Sequence, residues 1–167
     1  MKNIFLSIFL TFTFYNVHAQ SNWTLIEEST LKGSINGNVS EGFLFKTDSR
    51  EYFIINERTR QRVRTRNPEV KIYQSGSLFK LVIDDFEEPV ICIKTKNVID
   101  TQINGEFKGW DGETVFKLMN GQIWKQSTYA YTYHYAYSPQ VFIYQFKGSW
   151  LLKVEDLEET IEVYKIK

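Results

Sequence analysis

Residues 69–96 read EVKIYQSGSLFKLVIDDFEEPVICIKTK, and residues 140–167 read QVFIYQFKGSWLLKVEDLEETIEVYKIK. The second stretch follows the first by 71 positions, and the match runs without a gap from residues 42–96 to residues 113–167. Thirteen of these 55 pairs are identical. Because self-similarity of this kind marks a repeated structural unit, the sequence predicts two related copies of about 70 residues each.

Upstream of this match, INGNVSEG (35–42) aligns with INGEFKGWDGE (103–113), which requires three extra residues in the second copy. Asn-Gly pairs at 36–37, 104–105 and 120–121 predict turns, and residues 104–113 are interpreted as one long β-turn.

Each copy has the pattern of a run of short β-strands. Apolar and polar residues alternate, and β-branched and aromatic residues are frequent. The fold class is therefore predicted as all-β, with two related small barrels of SH3-like or OB-like kind in tandem. Predicted strands of the first copy are 24–35, 42–47, 50–56, 58–66, 69–74, 77–84 and 89–95. Those of the second are 98–104, 113–118, 121–127, 128–137, 140–146, 148–155 and 159–166.

The first residues have the pattern of a secretory signal peptide. Lys2 precedes an apolar run at 4–15, and Val17-His18-Ala19 is a small-x-small cleavage site. The run is shorter than the roughly 20 apolar residues needed to span a bilayer. The sequence thus predicts a signal peptide at 1–19, repeats at 20–96 and 97–167, and export to the periplasm or the exterior without a membrane span.

Charge and cysteine content exclude some classes of protein. Of the 20 Lys and Arg residues only Lys2 lies before the cleavage site, so the mature chain has 19 basic and 20 acidic residues and a net charge of −1. A protein built to bind nucleic acid is expected to be strongly basic, so nucleic acid is not expected as a partner. Cys92 is the single cysteine and cannot form an internal disulfide; we expect a buried apolar role for it.

Two ladders of side chains occupy the same position in the two copies. Residues 58–66 read RTRQRVRTR, and residues 129–137 read YAYTYHYAY. Successive side chains of a strand point to opposite faces, so each ladder places one residue type on one face. Buried unpaired arginines would cost several kcal/mol each, so both ladder faces are expected to lie outside the cores. The candidate binding residues are Arg58, Arg60, Arg62, Arg64, Arg66, Tyr129, Tyr131, Tyr133, Tyr135 and Tyr137.

Three interpretations of the ladders stay open. The arginines could stack on the tyrosines or pair with the acidic residues, and so stabilise the molecule. The ladders could instead bind a ligand. Side chains on one strand face recur about every 6.6–6.8 Å, so the arginines could follow the charges of an anionic polymer. The tyrosines could stack on sugar rings or bases. The tyrosine face could also be a protein–protein surface, where Tyr and Arg are enriched.

Residues for catalysis or metal binding are sparse. His134 is the single histidine after the cleavage site and is expected to be a partly buried strand residue. With one His and one Cys, a zinc site is not expected, and no cofactor is predicted. The acidic stretches DDFEE (84–88) and EDLEE (155–159) are interpreted as solvated turns; they lack the spacing of a known calcium loop.

Residues 109–144 contain a G-W-D-G turn, an N-G-Q-x-W step and the tyrosine ladder. With these features the chain resembles a small bacterial β domain without a characterised function, here as a diverged pair, and the resemblance implies no activity or ligand. Trp110, in the G-W-D-G turn, is taken as an exposed contact and joins the candidate binding residues.

The sequence predicts a non-catalytic binding or interaction module for an anionic polymer, a glycan or a protein partner. The alternative is an exported hydrolase of glycan or peptide that uses His134 or an acidic turn residue such as Asp156. The oligomeric state is not predicted.

Overall fold

A computed structural model describes residues 22–167, so the predicted signal peptide and its cleavage site at Ala19 lie outside the described residues. The described chain is all-β, as predicted, and its sheets curl into half-barrels. Residues 22–167 include no helix of the length and apolar character that a membrane crossing requires.

Each half of the chain contributes eight strands. Those of the first half are β1 (Thr24–Thr30), β2 (Ser34–Ser40), β3 (Leu44–Lys46), β4 (Tyr52–Ile55), β5 (Arg60–Arg66), β6 (Glu69–Ser75), β7 (Leu78–Ile83) and β8 (Val90–Thr95). Those of the second half are β9 (Val98–Gln102), β10 (Glu106–Trp110), β11 (Val115–Lys117), β12 (Ile123–Gln126), β13 (Thr132–Tyr137), β14 (Gln140–Phe146), β15 (Ser149–Val154) and β16 (Thr160–Lys165).

The two halves have the same strand order. One six-stranded sheet runs β1-β6-β7-β8-β4-β3, and the other runs β9-β14-β15-β16-β12-β11. The remaining strands form two-stranded sheets, β2 with β5 and β10 with β13. Each half therefore has its own apolar cluster, with residues such as Phe53, Ile72 and Leu81 in the first and Trp124, Ile143 and Leu152 in the second.

The predicted alignment upstream of residue 42 is wrong. The amide of Leu31 donates to the Pro68 carbonyl, and the amide of Ile103 donates to the Pro139 carbonyl, so these residues correspond at an offset of 72. Val39 and Trp110 pair with Gln61 and Thr132, an offset of 71. The second copy is therefore one residue shorter here, not three residues longer.

Several predicted strand and turn boundaries are also wrong. Asn36 and Gly37 lie inside β2 and not in a turn, and residues 106–110 form β10, because both segments pair with the ladder strands. The predicted strand 24–35 is interrupted at residues 31–33. The ladder strands begin at Arg60 and Thr132, so Arg58, Tyr129 and Tyr131 precede them.

The two halves pack head to tail. Leu44 and Ile54, on the β3-β4 part of the first sheet, are buried against Phe142 and Tyr144 on β14. The Tyr144 hydroxyl donates a buried hydrogen bond of 2.8 Å to the Gly42 carbonyl. The first half contributes its β3-β4 face to this contact, and the second half contributes its β14 face. The equivalent of each face in the other half therefore lies outside the contact, at an end of the molecule.

Polar contacts border this apolar contact. Lys46 Nζ lies 2.6 Å from Asp100 Oδ2, and the Tyr52 hydroxyl donates to the same oxygen at 2.5 Å. At the free ends the positions equivalent to Ile54 and Phe142 are Lys125 and Lys71, whereas those equivalent to Leu44 and Ile93 are the exposed Val115 and Tyr164, so the free faces are of mixed character.

Lys153 is a buried lysine at the contact between the halves. Its Nζ lies 4.3 Å from the ring centroid of Phe43 and donates to the Leu157 carbonyl at 3.1 Å. Burial lowers the pKa of the Lys153 ammonium to about 8, although Asp156 and Glu155 attract the charge. The folded protein therefore loses this proton at a lower pH than the unfolded chain does.

We expect Lys153→Met to raise the free energy of unfolding at pH 7 by up to about 3 kcal/mol, since a buried charge is removed. Between pH 8 and about 10.4 the unfolded wild type keeps the proton that the folded state has lost, so its stability rises and the advantage of the variant shrinks. Urea unfolding of both proteins at pH 7, 8.5 and 10 measures this difference. Burial also raises the pKa values of Cys92 and Tyr144. Both groups are present in the wild type and in the variant, so they change the stability of the two proteins equally. A difference that stays constant with pH would contradict the prediction.

Candidate functional site

The arginine ladder faces outward along its whole length. All five arginines are exposed, while Gln61 and Val63, on the opposite face of β5, are buried. Gln61 holds the β7-β8 turn through hydrogen bonds of 2.9 and 3.1 Å with the backbone of Glu88. Within residues 22–167 no ladder arginine forms an ion pair. Together with Asn36, Asn38 and Ser40 on β2, the ladder forms a cationic polar surface.

The tyrosine ladder is also exposed. The five side chains are 56–84% accessible, which is a large aromatic area to leave in contact with water. On the opposite face, Ala130 and Ala136 pack against the core of the second half. We call the five side chains, Tyr129, Tyr131, Tyr133, Tyr135 and Tyr137, the tyrosine surface.

A β-bulge shapes the tyrosine strand. Phe107 pairs with Ala136 and Gly109 pairs with Tyr133, so two residues of β13, His134 and Tyr135, lie opposite Lys108. Gly109 has φ +94°, and a β-carbon there would lie 1.8 Å from the Thr132 carbonyl oxygen. His134 is partly buried, as predicted, with its ring centroid 6.3 Å from that of Phe107.

The two ladders lie on different two-stranded sheets. Among the described residues, the cation–π contacts are made by lysines and none joins a ladder arginine to a tyrosine. Stacking of one ladder on the other, which is one form of the first of the three interpretations, is therefore not observed.

The expectation that Trp110 is exposed is wrong. Its side chain is 2% accessible and belongs to the core of the second half. The corrected alignment gives the reason: Trp110 is equivalent to Val39, a core residue of the first half. The indole Nε1–H of Trp110 is buried and has no hydrogen-bond acceptor within residues 22–167. A buried donor without an acceptor is rare in proteins.

Gln126 is a residue that the sequence reasoning missed. Its amide donates to the carbonyls of Thr128 and Ala130 and accepts from the amide of Gly112, which ties the G-W-D-G turn to the start of the tyrosine ladder. The signal in the sequence was that a polar residue, Gln126, stands where the first half has the apolar residue Ile55.

A groove of about 390 Å³ opens between β10 and β11. Both strands have one edge without a strand partner here, because β10 pairs with β13 and β11 pairs with β12. We call this space the open groove. Its walls include Phe107, Trp110, Val115, Phe116, Tyr131 and Tyr133. The groove thus adjoins the tyrosine surface, and its lining also includes the charged residues Glu106, Lys108 and Asp111.

The acidic stretches form turns, as predicted, but several of their side chains have specific partners. The Thr65 hydroxyl donates to Asp85 at 2.6 Å, and the Thr132 hydroxyl donates to Glu159 at 2.7 Å. In the described part of the chain, no three His, Cys, Asp or Glu side chains are grouped closely enough to hold a metal ion. His134 has no hydrogen bond to a hydroxyl, thiol or carboxyl side chain in residues 22–167, and Asp156 lies in the β15-β16 turn.

Comparison with known proteins gives no match to a family model, to a curated protein or to a solved structure. The resemblance of residues 109–144 to a small bacterial β domain therefore stays a sequence-based expectation.

Proposed function

We propose that this protein is an exported, non-catalytic binding module and that the tyrosine surface is its main contact surface. The observation that supports the proposal most directly is the exposure of five tyrosines in one row. Tyrosine provides a flat apolar ring and a hydroxyl for hydrogen bonding, which suits sugar rings as well as protein surfaces. Export rests on the predicted signal peptide.

Substitution of the tyrosine surface tests this proposal with defined probes. Chitohexaose and cellohexaose are titrated into the mature chain and followed by calorimetry. We expect binding of at least one probe, weakened about threefold to tenfold for each of Tyr131→Ser, Tyr133→Ser and Tyr135→Ser. The matched control is Tyr164→Ser, an exposed tyrosine on β16.

The same samples test the hydrolase alternative. After incubation with the protein, the hexasaccharides are expected to keep their length. Shortened products that disappear with His134→Ala or Asp156→Asn in a folded variant would contradict a non-catalytic role.

A second candidate function, binding of an anionic polymer, is favoured by the arginine ladder, whose charges have no acidic partner in residues 22–167. We expect dextran sulfate to bind with an affinity that falls steeply as salt is raised, because bound counterions are released. Replacing Arg60, Arg62 and Arg64 by Gln should reduce the slope of log K against log salt by about 2–3. The control replaces the exposed Lys96, Lys165 and Lys167 by Gln; an equal reduction there would contradict a role for the ladder.

A further inference from the structure

The open groove offers a ligand aromatic rings beside charged side chains. Three of its lining residues, Phe107, Trp110 and Phe116, are buried core residues with little surface left for a ligand. The accessible rings are those of Tyr131 and Tyr133, which are 69% and 72% exposed. The volume of about 390 Å³ lies within the range of roughly 300–1,000 Å³ that is typical of small-ligand sites.

One of the charged side chains is a carboxylate that the chain holds in place. Asp111 Oδ1 accepts hydrogen bonds of 2.8 Å from the Thr114 hydroxyl and 3.2 Å from the Glu113 amide. The bond from Thr114 lowers the pKa of Asp111, so the carboxylate is ionised at neutral pH. Within residues 22–167 its other oxygen, Oδ2, accepts no hydrogen bond and the side chain forms no ion pair. Asp111 therefore keeps one charged acceptor for the donors of a ligand.

The turn that carries Asp111 is fixed relative to the tyrosine ladder. Gln126 Oε1 accepts from the amide of Gly112 at 2.9 Å, and Gln126 Nε2 donates to the carbonyls of Thr128 and Ala130. The carboxylate and the first tyrosines of the ladder are thus positioned before a ligand arrives. Such preorganisation reduces the entropy that binding would otherwise cost.

The charges that line the groove favour an uncharged ligand. Lys108 pairs with Glu106 at 3.0 Å, so these two charges offset each other and Asp111 leaves the lining with a net negative charge. An acidic ligand would be repelled by this carboxylate. A neutral sugar has a flat apolar face that packs on an aromatic ring and hydroxyl groups that donate to a carboxylate.

An extended peptide strand is a poorer occupant. β10 has a bulge at Lys108, and Gly109 has φ +94°, so the free edge of β10 lacks a regular series of N–H and C=O groups. β11, on the other side of the groove, has only the three residues Val115–Lys117. Bulged and short edge strands are poor templates for strand addition.

The two halves differ at the positions that matter here. The residues equivalent to Asp111, Tyr131 and Tyr133 are Ser40, Arg60 and Arg62. The carboxylate and the two rings therefore occur together in the second half and not in the first.

We propose that the open groove is a subsite for one unit of an uncharged glycan, in which Tyr131 and Tyr133 pack on the sugar and Asp111 Oδ2 accepts its hydroxyl groups. This inference rests on the proposed function, because the groove continues the tyrosine surface. It adds that this end of the surface selects uncharged glycans over acidic ones.

The test titrates cellobiose, N,N′-diacetylchitobiose and digalacturonic acid into the mature chain labelled with ¹⁵N. We expect saturable shifts of the amide resonances of residues 106–116 with at least one neutral disaccharide, and an affinity about tenfold lower for digalacturonic acid. Tyr131→Ser and Tyr133→Ser should each weaken binding of the neutral disaccharide about threefold to tenfold. The matched control is Tyr137→Ser, an exposed tyrosine that does not line the groove, which should change the affinity less than about twofold.

A substitution of the carboxylate separates recognition from a structural effect. Asp111→Asn keeps an oxygen for Thr114 and removes the charge. It should weaken the neutral disaccharide and strengthen digalacturonic acid, each by about threefold to tenfold. A disturbed turn would weaken both. The control is Glu113→Gln in the same turn, whose carboxylate pairs with Lys125 and does not line the groove; it should change neither affinity more than about twofold.

The outcomes distinguish this inference from the proposed function. Equal affinities for neutral and acidic disaccharides, or hexasaccharide binding that depends on Tyr135 without shifts at residues 106–116, would overturn the subsite alone. Saturable shifts of these residues with the extended peptide acetyl-TVTVTV-amide, and none with the disaccharides, would overturn it in favour of strand addition. No saturable shift with any disaccharide or hexasaccharide would overturn the glycan-binding role of the tyrosine surface as well.

Discussion

Ile54→Lys is expected to lower the free energy of unfolding by about 3–5 kcal/mol, the range observed when a charge is left unpaired in a protein interior. Ile54 is fully buried between the two halves, where it packs with Leu44, Phe142 and Tyr144. The lysine would have no carboxylate within this apolar cluster and would separate the two packed faces. Urea unfolding at pH 7, followed by tryptophan fluorescence, measures the change.

The chain supplies its own control for this substitution. Lys125 occupies the equivalent position at the free end, and its ammonium pairs with Glu113 near the surface. The reverse change, Lys125→Ile, should therefore alter the free energy of unfolding by no more than about 0.5 kcal/mol. If Ile54→Lys were equally mild, the head-to-tail contact would not contribute to stability as described.

Gly109→Ala is expected to cost about 3 kcal/mol or more. The residue has φ +94°, where side chains are strained, and the added methyl group would meet the Thr132 carbonyl oxygen at 1.8 Å. Because Thr132 is backbone-paired in β13, it cannot move away without disturbing the bulge that carries His134 and Tyr135. The free energy of unfolding in urea at pH 7 again measures the effect.

Gly121→Ala separates backbone strain from this collision. Gly121 has a similar φ of +83°, but no atom lies within 4 Å of the position of an added β-carbon. Its substitution should cost about 1 kcal/mol, which is the strain alone. Equal costs at Gly109 and Gly121 would show that the close approach of β10 to β13 is not a constraint.

The features that the sequence predicted well are those set by local periodicity. Alternation at 58–66 and 129–137 placed Arg62 and Tyr133 on exposed faces and Val63 on a buried one, because side-chain direction in a strand depends only on the residue's parity. The all-β class followed from the same pattern in every segment.

The features that failed depend on partners far away in the chain. Asn36-Gly37 has the composition of a turn, yet it pairs with Arg64 and Val63 on β5. The sequence-based alignment matched residues 35–37 with residues 103–105 because both read Ile-Asn-Gly. The equivalence of Trp110 with Val39 was therefore missed. The open groove was not predictable, since it depends on which strands β10 and β11 pair with in the folded chain.

Gly37 of the first half lies directly under a turn of the second half. Asn36 and Gly37 lie where the shorter β10 has only Lys108, and Glu158 occupies the space that a side chain at position 37 would need. A side chain at position 37 would therefore displace the turn that lies over it. A chain that joined two copies of the second half would lack the contact of Glu158 with position 37, so one half cannot replace the other.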